Sequence, residues 1–363
     1  MKRNHTVLPC FLLAIVLVAV GRRDAPGALP DDKSGNPVPR GDRIISVDVN
    51  MGKNQDFNVG FNLARDAGMQ NIGLFLHWSV VESGPGKYDS KWLDIAEAYY
   101  PPAGVRLDLT LALYNANKKE YPRDLADYAL DDPRVVERFE KLLDFVFSRF
   151  KKTELGSLNI GSEFNINFGD DGKSWEQFRK FYGRVARYAR LKRQGLKVAA
   201  EVTFDGLTGA NRGYVRRINE ESDLIGVSYY PLDGKGNVKD PSVVREDFNA
   251  IVSMYKDKPI CFYQLGYPSS SVLGSSDARQ AEFIREVFRA WDLHATAIRM
   301  IDFSWLFDTS ESSAGDTGRY YGMSGGKFSE FIRTLGLLTY TGERKPAFRA
   351  LKEEAGARGW KTR

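Results

Sequence analysis

Two stretches of this sequence end in side chains suited to acid–base chemistry. Leu158–Asn165 reads as a short buried strand, with Leu158 and Ile160 as its apolar positions, that breaks off at Gly161, Ser162 and Glu163. A carboxylate at the end of a buried strand is costly to keep unless something there uses it. Pro259–Pro268 ends in the same manner, except that Gln264 stands where a second carboxylate would complete a catalytic pair. Glu163 is therefore the first candidate catalyst, with Ser162 and Asn165 as polar neighbours.

These ends need elements to position them, and the chain from Arg43 onward supplies a regular set. Short apolar strands are expected at Ile44–Val49, Ile72–Trp78, Leu107–Leu113, Ser157–Gly161, Val198–Phe204, Leu224–Tyr229, Ile260–Tyr263 and Ile298–Trp305. Most are continuous apolar runs, as parallel strands covered on both faces should be. Amphipathic helices alternate with them. Asp132-Pro133 opens one with a capping side chain and a first-turn proline, and its stripe runs Val136, Phe139, Leu143, Val146, Phe150. Another carries Trp175, Phe178, Tyr182, Val185 and Ala189, and a third, capped near Ser276, carries Ile284, Val287, Phe288 and Trp291. Eight strand–helix units in this length predict a single-domain (β/α)8 TIM barrel over residues 43–363. No Gly-x-Gly-x-x-Gly turn follows the first strand, which argues against a doubly wound sheet.

A barrel gathers its functional groups at the C-terminal ends of its strands. Those ends give Asp48 and Asn50, His77 and Trp78, Tyr114 and Asn115, Glu163 and Asn165, Glu201 and Asp205, Tyr229 and Tyr230, Gln264 and Tyr267, then Trp305 and Asp308. Aromatics, amides and acids in one rim suit sugar rings, which stack on aromatic faces while their hydroxyls take fixed hydrogen bonds. Trp305 and Tyr230, at strand ends, are the aromatic candidates; Trp78 and His77 are further candidates for the mouth. Nothing in the rim resembles a phosphate cradle, and His77 and His294 are too few for the common metal sites, so neither cofactor nor metal is expected. Glu201, if it points into the barrel, is expected as the buried partner of a basic group. Asp205, one step past its strand, would face the mouth and could activate water by an inverting route. Asp302 and Asp308 are weaker substitutes of the same kind. The basic run Arg184–Arg193 reads as the solvated face of a helix.

Composition and termini set the address. Hydrophobic residues make up 42 % and aromatics 12 %, enough for a large core, and a net charge of +5 gives no concentrated patch for nucleic acid. Residues 1–21, with Lys2, Arg3 and an apolar run from Pro9 to Val20, read as an export signal peptide or, if uncleaved, as an N-terminal anchor over residues 7–20. Residues 22–42 are a flexible lead-in. A secreted or periplasmic monomer is expected, with Cys261 as its single cysteine once the signal is removed and membrane contact only if it is retained.

Several motifs in order resemble a family. Gly68–Ile72, His77-Trp78, Glu82–Tyr88 and Trp92–Asp94 look like the opening of the clan of TIM-barrel retaining glycoside hydrolases that includes galactanases, cellulases and mannanases. Gly226–Pro231 is similar to the sixth-strand signature of its galactanase-like branch, Trp305 stands at the eighth-strand sugar-stacking tryptophan, and Gly342–Ala347 resembles the closing helix entry. The resemblance implies Glu163 as the general acid/base and a nucleophilic glutamate at the end of strand seven. Two departures follow: Ser162 replaces the usual asparagine, and the nucleophile position is Gln264. An amide oxygen is a poor nucleophile, and losing the nucleophile costs on the order of a millionfold in turnover. The expectation is thus an exported glycoside-hydrolase-like protein acting on or binding poly- or oligosaccharide. The alternatives are an inactive carbohydrate-binding barrel and an inverting hydrolase using another carboxylate.

Overall fold

The eight expected strands are all present in the computed structural model, which describes residues 36–53, 56–323 and 325–362. They are β1 (Ile44–Val47), β2 (Asn71–His77), β3 (Arg106–Asn115), β4 (Leu155–Ser162), β5 (Val198–Thr203), β6 (Ile225–Tyr229), β7 (Ile260–Leu265) and β8 (Ile298–Phe303). Each pairs in parallel with its sequence neighbour, and β1 pairs with β8 through Ile44–Met300 to Val47–Phe303, which closes the barrel. The expected signal segment, residues 1–21, and the lead-in as far as residue 35 lie outside the described residues. Among the described residues no helix is long and apolar enough to cross a membrane.

The helices form where apolar stripes and caps coincide. Helix Pro133–Arg149 is capped by the Asp132 carboxylate, which accepts from Arg134 N, and Val136, Phe139, Leu143 and Val146 are buried against the sheet. Ser276 caps helix Asp277–Leu293 in the same way through Arg279 N. The basic face of helix Gly172–Lys192 is solvated and paired, with Arg184 on Glu140 and Lys192 on Asp144 of the preceding helix. Below the barrel, buried Arg43 bonds to Asp292 at 2.8 Å and lies over the rings of Trp291 and Trp360.

The strands differ from expectation in one respect. Only their outward faces are continuously apolar: Ile45, Val47, Leu107, Leu109, Leu158, Ile160, Val198 and Val227 join the helices in one core. The inward faces carry Ser46, Asn71, Asp108, Ser157, Asn159, Glu201 and Asp302, above a small apolar layer of Ala199, Leu224, Cys261, Tyr263 and Met300. The inner polar groups are kept because they bond one another, as Asn71 Nδ2 does with Asp108 at 2.7 Å and Ser46 Oγ with Asp302 at 2.8 Å. After β8 the chain adds helices Glu311–Tyr321 and Gly326–Arg333 before the closing helix Pro346–Ala357. Their aromatic residues reach the barrel mouth.

Candidate active site

Two register shifts shape the mouth. In β4 the pairing with β5 slips between Asn159 and Ser162, and in β7 the pairing with β6 slips between Phe262 and Gln264. Such irregularities re-aim side chains, and here they turn Ser162 and Gln264 toward each other inside the mouth. Gly161 is essential to the first: its φ of +83° is left-handed, and an added Cβ would sit 3.2 Å from the Phe164 ring. Glu163 follows with φ +50°, an uncommon conformation for a residue with a Cβ. Strain of that kind costs on the order of 1 kcal/mol or more and collects at functional positions.

Glu163 is fully buried, its Oε1 accepting from Ser228 Oγ at 2.5 Å and its amide N–H donating to the Glu201 carbonyl at 3.0 Å. Gln264 donates from Nε2 to Glu201 Oε1 at 2.9 Å and, more weakly, to Ser162 Oγ at 3.4 Å. Its Oε1 accepts from Tyr230 OH at 3.2 Å. Ser162 Oγ donates to Glu201 Oε2 at 2.9 Å, and Asn159 Nδ2 reaches the same oxygen at 3.2 Å. The ends of β4, β5 and β7 are therefore wired together through Glu201. Gly266 permits this closeness, since a Cβ there would lie 2.6 Å from Ser304 O and 2.9 Å from the Tyr230 ring.

Glu201 differs from expectation. It points into the barrel but has no basic partner among the described residues; three neutral donors hold it. Burial pushes its carboxyl up to about 7, against the lowering effect of those donors. Asp48 is likewise raised to about 7 by burial, opposed by Ser304 and reinforced by the Glu201 charge. Asp302 is raised well above the usual carboxylate range by burial and by Asp48, and its Oδ1 has no hydrogen-bond partner. A cavity of about 20 Å³, room for roughly one water, lies among Asp48, Asp302, Glu201 and Gln264.

The other expected residues separate into two groups. Trp305, 5 % exposed, directly follows Ser304, whose Oγ bonds to Asp48 Oδ2 at 3.1 Å; Tyr230 is half-buried with its ring edge-on to Phe331 at 5.3 Å. His77 is buried beside Asn115 (3.2 Å) and Glu120 (3.5 Å), parallel to the Tyr320 ring, and burial lowers its pKa. Trp78 instead turns away from the mouth: its Nε1 bonds to Glu82 at 2.9 Å and its ring meets Phe139 edge-on. Asn165 spends both ends of its amide on Thr203, and exposed Asp205 lies near Tyr229 and Asp247 on the outer side of the sheet. Asp308 is ion-paired to buried Lys345 at 3.0 Å. Among the described residues no three His, Cys, Asp or Glu side chains form a metal-binding group. The sequence reasoning missed Ser228, although it sits within the Gly226–Pro231 motif, and missed Tyr320 and Tyr321, which no periodic pattern marked; Tyr321 OH donates to Asn115 Oδ1 at 3.1 Å.

Fold and mouth together define a (β/α)8 barrel, and solved structures similar to it in fold are glycoside hydrolases. The exo-β-1,4-mannosidase Op5Man5 from Opitutaceae bacterium strain TAV5 superposes with a TM-score of 0.69 at 16 % identity, over 87 % of this chain and 59 % of its own. A GH5_18 protein from Streptomyces cattleya, solved with GlcNAc, gives 0.71 at 15 % identity over 90 % of this chain and 82 % of its own. A family 39 glycoside hydrolase from Bacteroides cellulosilyticus WH2 gives 0.58 at 15 % identity, over 88 % and 64 %. At these identities the likeness is one of fold. No family model and no curated protein matches the sequence.

Proposed function

We propose that the protein is an exported carbohydrate-active barrel that takes a poly- or oligosaccharide at its C-terminal mouth, with Glu163 as general acid/base. The observation that carries this reading is the delivery of Glu163 by a left-handed turn at the end of β4, against Ser228 and the Glu201 backbone and within electrostatic reach of Tyr230. Glu163 would protonate the leaving oxygen and afterwards deprotonate water. Tyr230 and Trp305 would supply aromatic surface to the sugar.

Retaining chemistry needs a second carboxylate about 5 Å from the first. Position 264 holds an amide whose nitrogen and oxygen are both engaged. That observation favours a second reading, a barrel that binds saccharide without turning it over. The two are separated by incubating the wild type and Gln264→Glu with a panel of polysaccharides and aryl glycosides. β-Mannosides and GlcNAc-containing oligosaccharides belong in it because a neighbour of similar fold was solved with Manβ1-4GlcNAc. Hydrolysis by the wild type, abolished by Glu163→Gln, supports the enzyme. Binding without hydrolysis, with activity appearing only in Gln264→Glu, supports the binder. Neither binding nor hydrolysis by either protein would sink both readings.

A further inference from the structure

The two positions at which the chain leaves the family pattern converge on one acceptor. Ser162 Oγ donates to Glu201 Oε2 at 2.9 Å, and Gln264 Nε2 donates to Glu201 Oε1 at 2.9 Å. Buried Glu82 differs in having a cation, Arg138 at 2.5 Å, whereas the acids of the barrel interior are held by neutral donors, as Asp302 is by Ser46 and Asp48 by Ser304. Glu201, 1 % exposed, has only Asn159, Ser162 and Gln264, all neutral. A carboxylate so placed is costly.

We infer that Glu201 carries the charge that strand seven lacks: it is a positioning residue that pins the Gln264 amide nitrogen inward and directs the amide oxygen, strengthened as an acceptor, toward Tyr230 and the sugar hydroxyls. This rests on the saccharide-binding reading above. The physical basis is the planarity of the amide. With Nε2 held by an ionised carboxylate, Oε1 must point to the opposite side, where Tyr230 OH lies at 3.2 Å. An N–H bond to an anion is stronger than a neutral one and polarises the amide, adding negative charge to its oxygen. A protonated Glu201 could instead donate to the amide oxygen, so the amide could turn over and present a donor to the mouth. The water-sized cavity touching Glu201 and Gln264 gives that proton a place to exchange.

The titratable groups that feel the Glu201 charge are Asp48 just after β1, Tyr263 on β7, Asp302 on β8 and Tyr230 just after β6. Glu163 on the β4 turn lies against the Glu201 backbone. Asp48, raised by burial to about 7 as Glu201 is, serves as the control.

The experiment is calorimetric titration of wild type, Glu201→Gln and Asp48→Asn with manno-, gluco- and galacto-oligosaccharides between about pH 5.5 and 8.5. In the wild type the affinity should rise about tenfold as pH passes about 7, the worth of a charge-assisted over a neutral hydrogen bond. Glu201→Gln, which can still bond to Gln264, should stay at the low-pH affinity throughout, and Asp48→Asn should keep the rise. A rise that persists in Glu201→Gln, or no rise in the wild type, overturns the inference while leaving saccharide binding intact. A wild type that binds none of the panel at any pH removes the saccharide-binding reading and this inference with it.

Discussion

At position 264 the difference between an amide and a carboxylate is decided by one neighbour. Gln264 Nε2 sits 2.9 Å from Glu201 Oε1, so a glutamate at 264 would place two carboxyls in contact inside a buried network. Like charges at that distance cannot both ionise cheaply; one must hold a proton at neutral pH. Gln264→Glu should therefore lose about 2 kcal/mol or more of unfolding free energy at pH 7.5. The double exchange Glu201→Gln with Gln264→Glu restores one acid and one amide and should recover most of that loss. Urea denaturation of the four proteins checks it, and equal stability of Gln264→Glu and the wild type would show that the two side chains do not interact. Glu163 and Gln264 were legible in the sequence because each ends an apolar run two residues from a glycine. The contact between residue 264 and Glu201 was not legible, because it depends on the register shifts in β4 and β7 that bring Ser162 and Gln264 inward.

The strands and the main helices could be read because their outward residues have to meet one another. Leu107, Leu109, Leu158 and Val198 face a shell in which Phe139, Val146, Phe178 and Val287 lie at the expected helical spacing. The inner faces were harder, since Ser157, Asn159 and Glu201 sit among apolar neighbours in the sequence and their partners are on other strands. Helices Glu311–Tyr321 and Gly326–Arg333 gave less signal still, the first being built mostly of small and polar residues. Yet they finish the mouth: Tyr321 bonds to Asn115, Tyr320 stacks with His77, and Phe331 meets the Tyr230 ring. Phe331 is buried, so Phe331→Ala should cost about 3–5 kcal/mol. Its effect on saccharide affinity should exceed that of an equally destabilising change on the far side, such as Phe288→Ala beside Trp291. Melting curves and binding isotherms on the two variants make the comparison, and equal affinities would mean that the helices after β8 do not shape the proposed sugar site.

Across the whole molecule, the polar barrel interior sets how stability depends on pH. Asp48 and Glu201 are raised to about 7 by burial, Asp302 is raised well above its ordinary value, and Asp108 is raised as well. A carboxyl with a raised folded pKa holds a proton that the unfolded chain has already released. Its stabilising contribution is complete below the ordinary value near 4 and is lost as pH climbs through the folded value. For Glu201, moved from 4.5 to about 7, the loss is on the order of 3 kcal/mol. Opposing groups act elsewhere on the scale. His77 and His294 are lowered by burial, so their contribution is complete above about 6.5 and is lost as pH falls below it. Half-buried Asp132, lowered to about 2 by Arg134, loses its contribution only as pH falls from about 4 toward that value. From about pH 6.5 upward the buried acids therefore act against the fold without opposition from these groups, and the melting temperature should fall between about pH 6.5 and 7.5, where Glu201 and Asp48 finish losing their contribution. Asp302→Asn should shallow that fall, since an asparagine can accept from Ser46 as Asp302 does and has no proton to surrender. Calorimetric scans of both proteins at half-unit steps give the two slopes. A melting temperature that holds or rises between about pH 6.5 and 7.5, or an unchanged slope in Asp302→Asn, would mean that the interior acids are ionised in the folded barrel and balanced by a charge other than a proton.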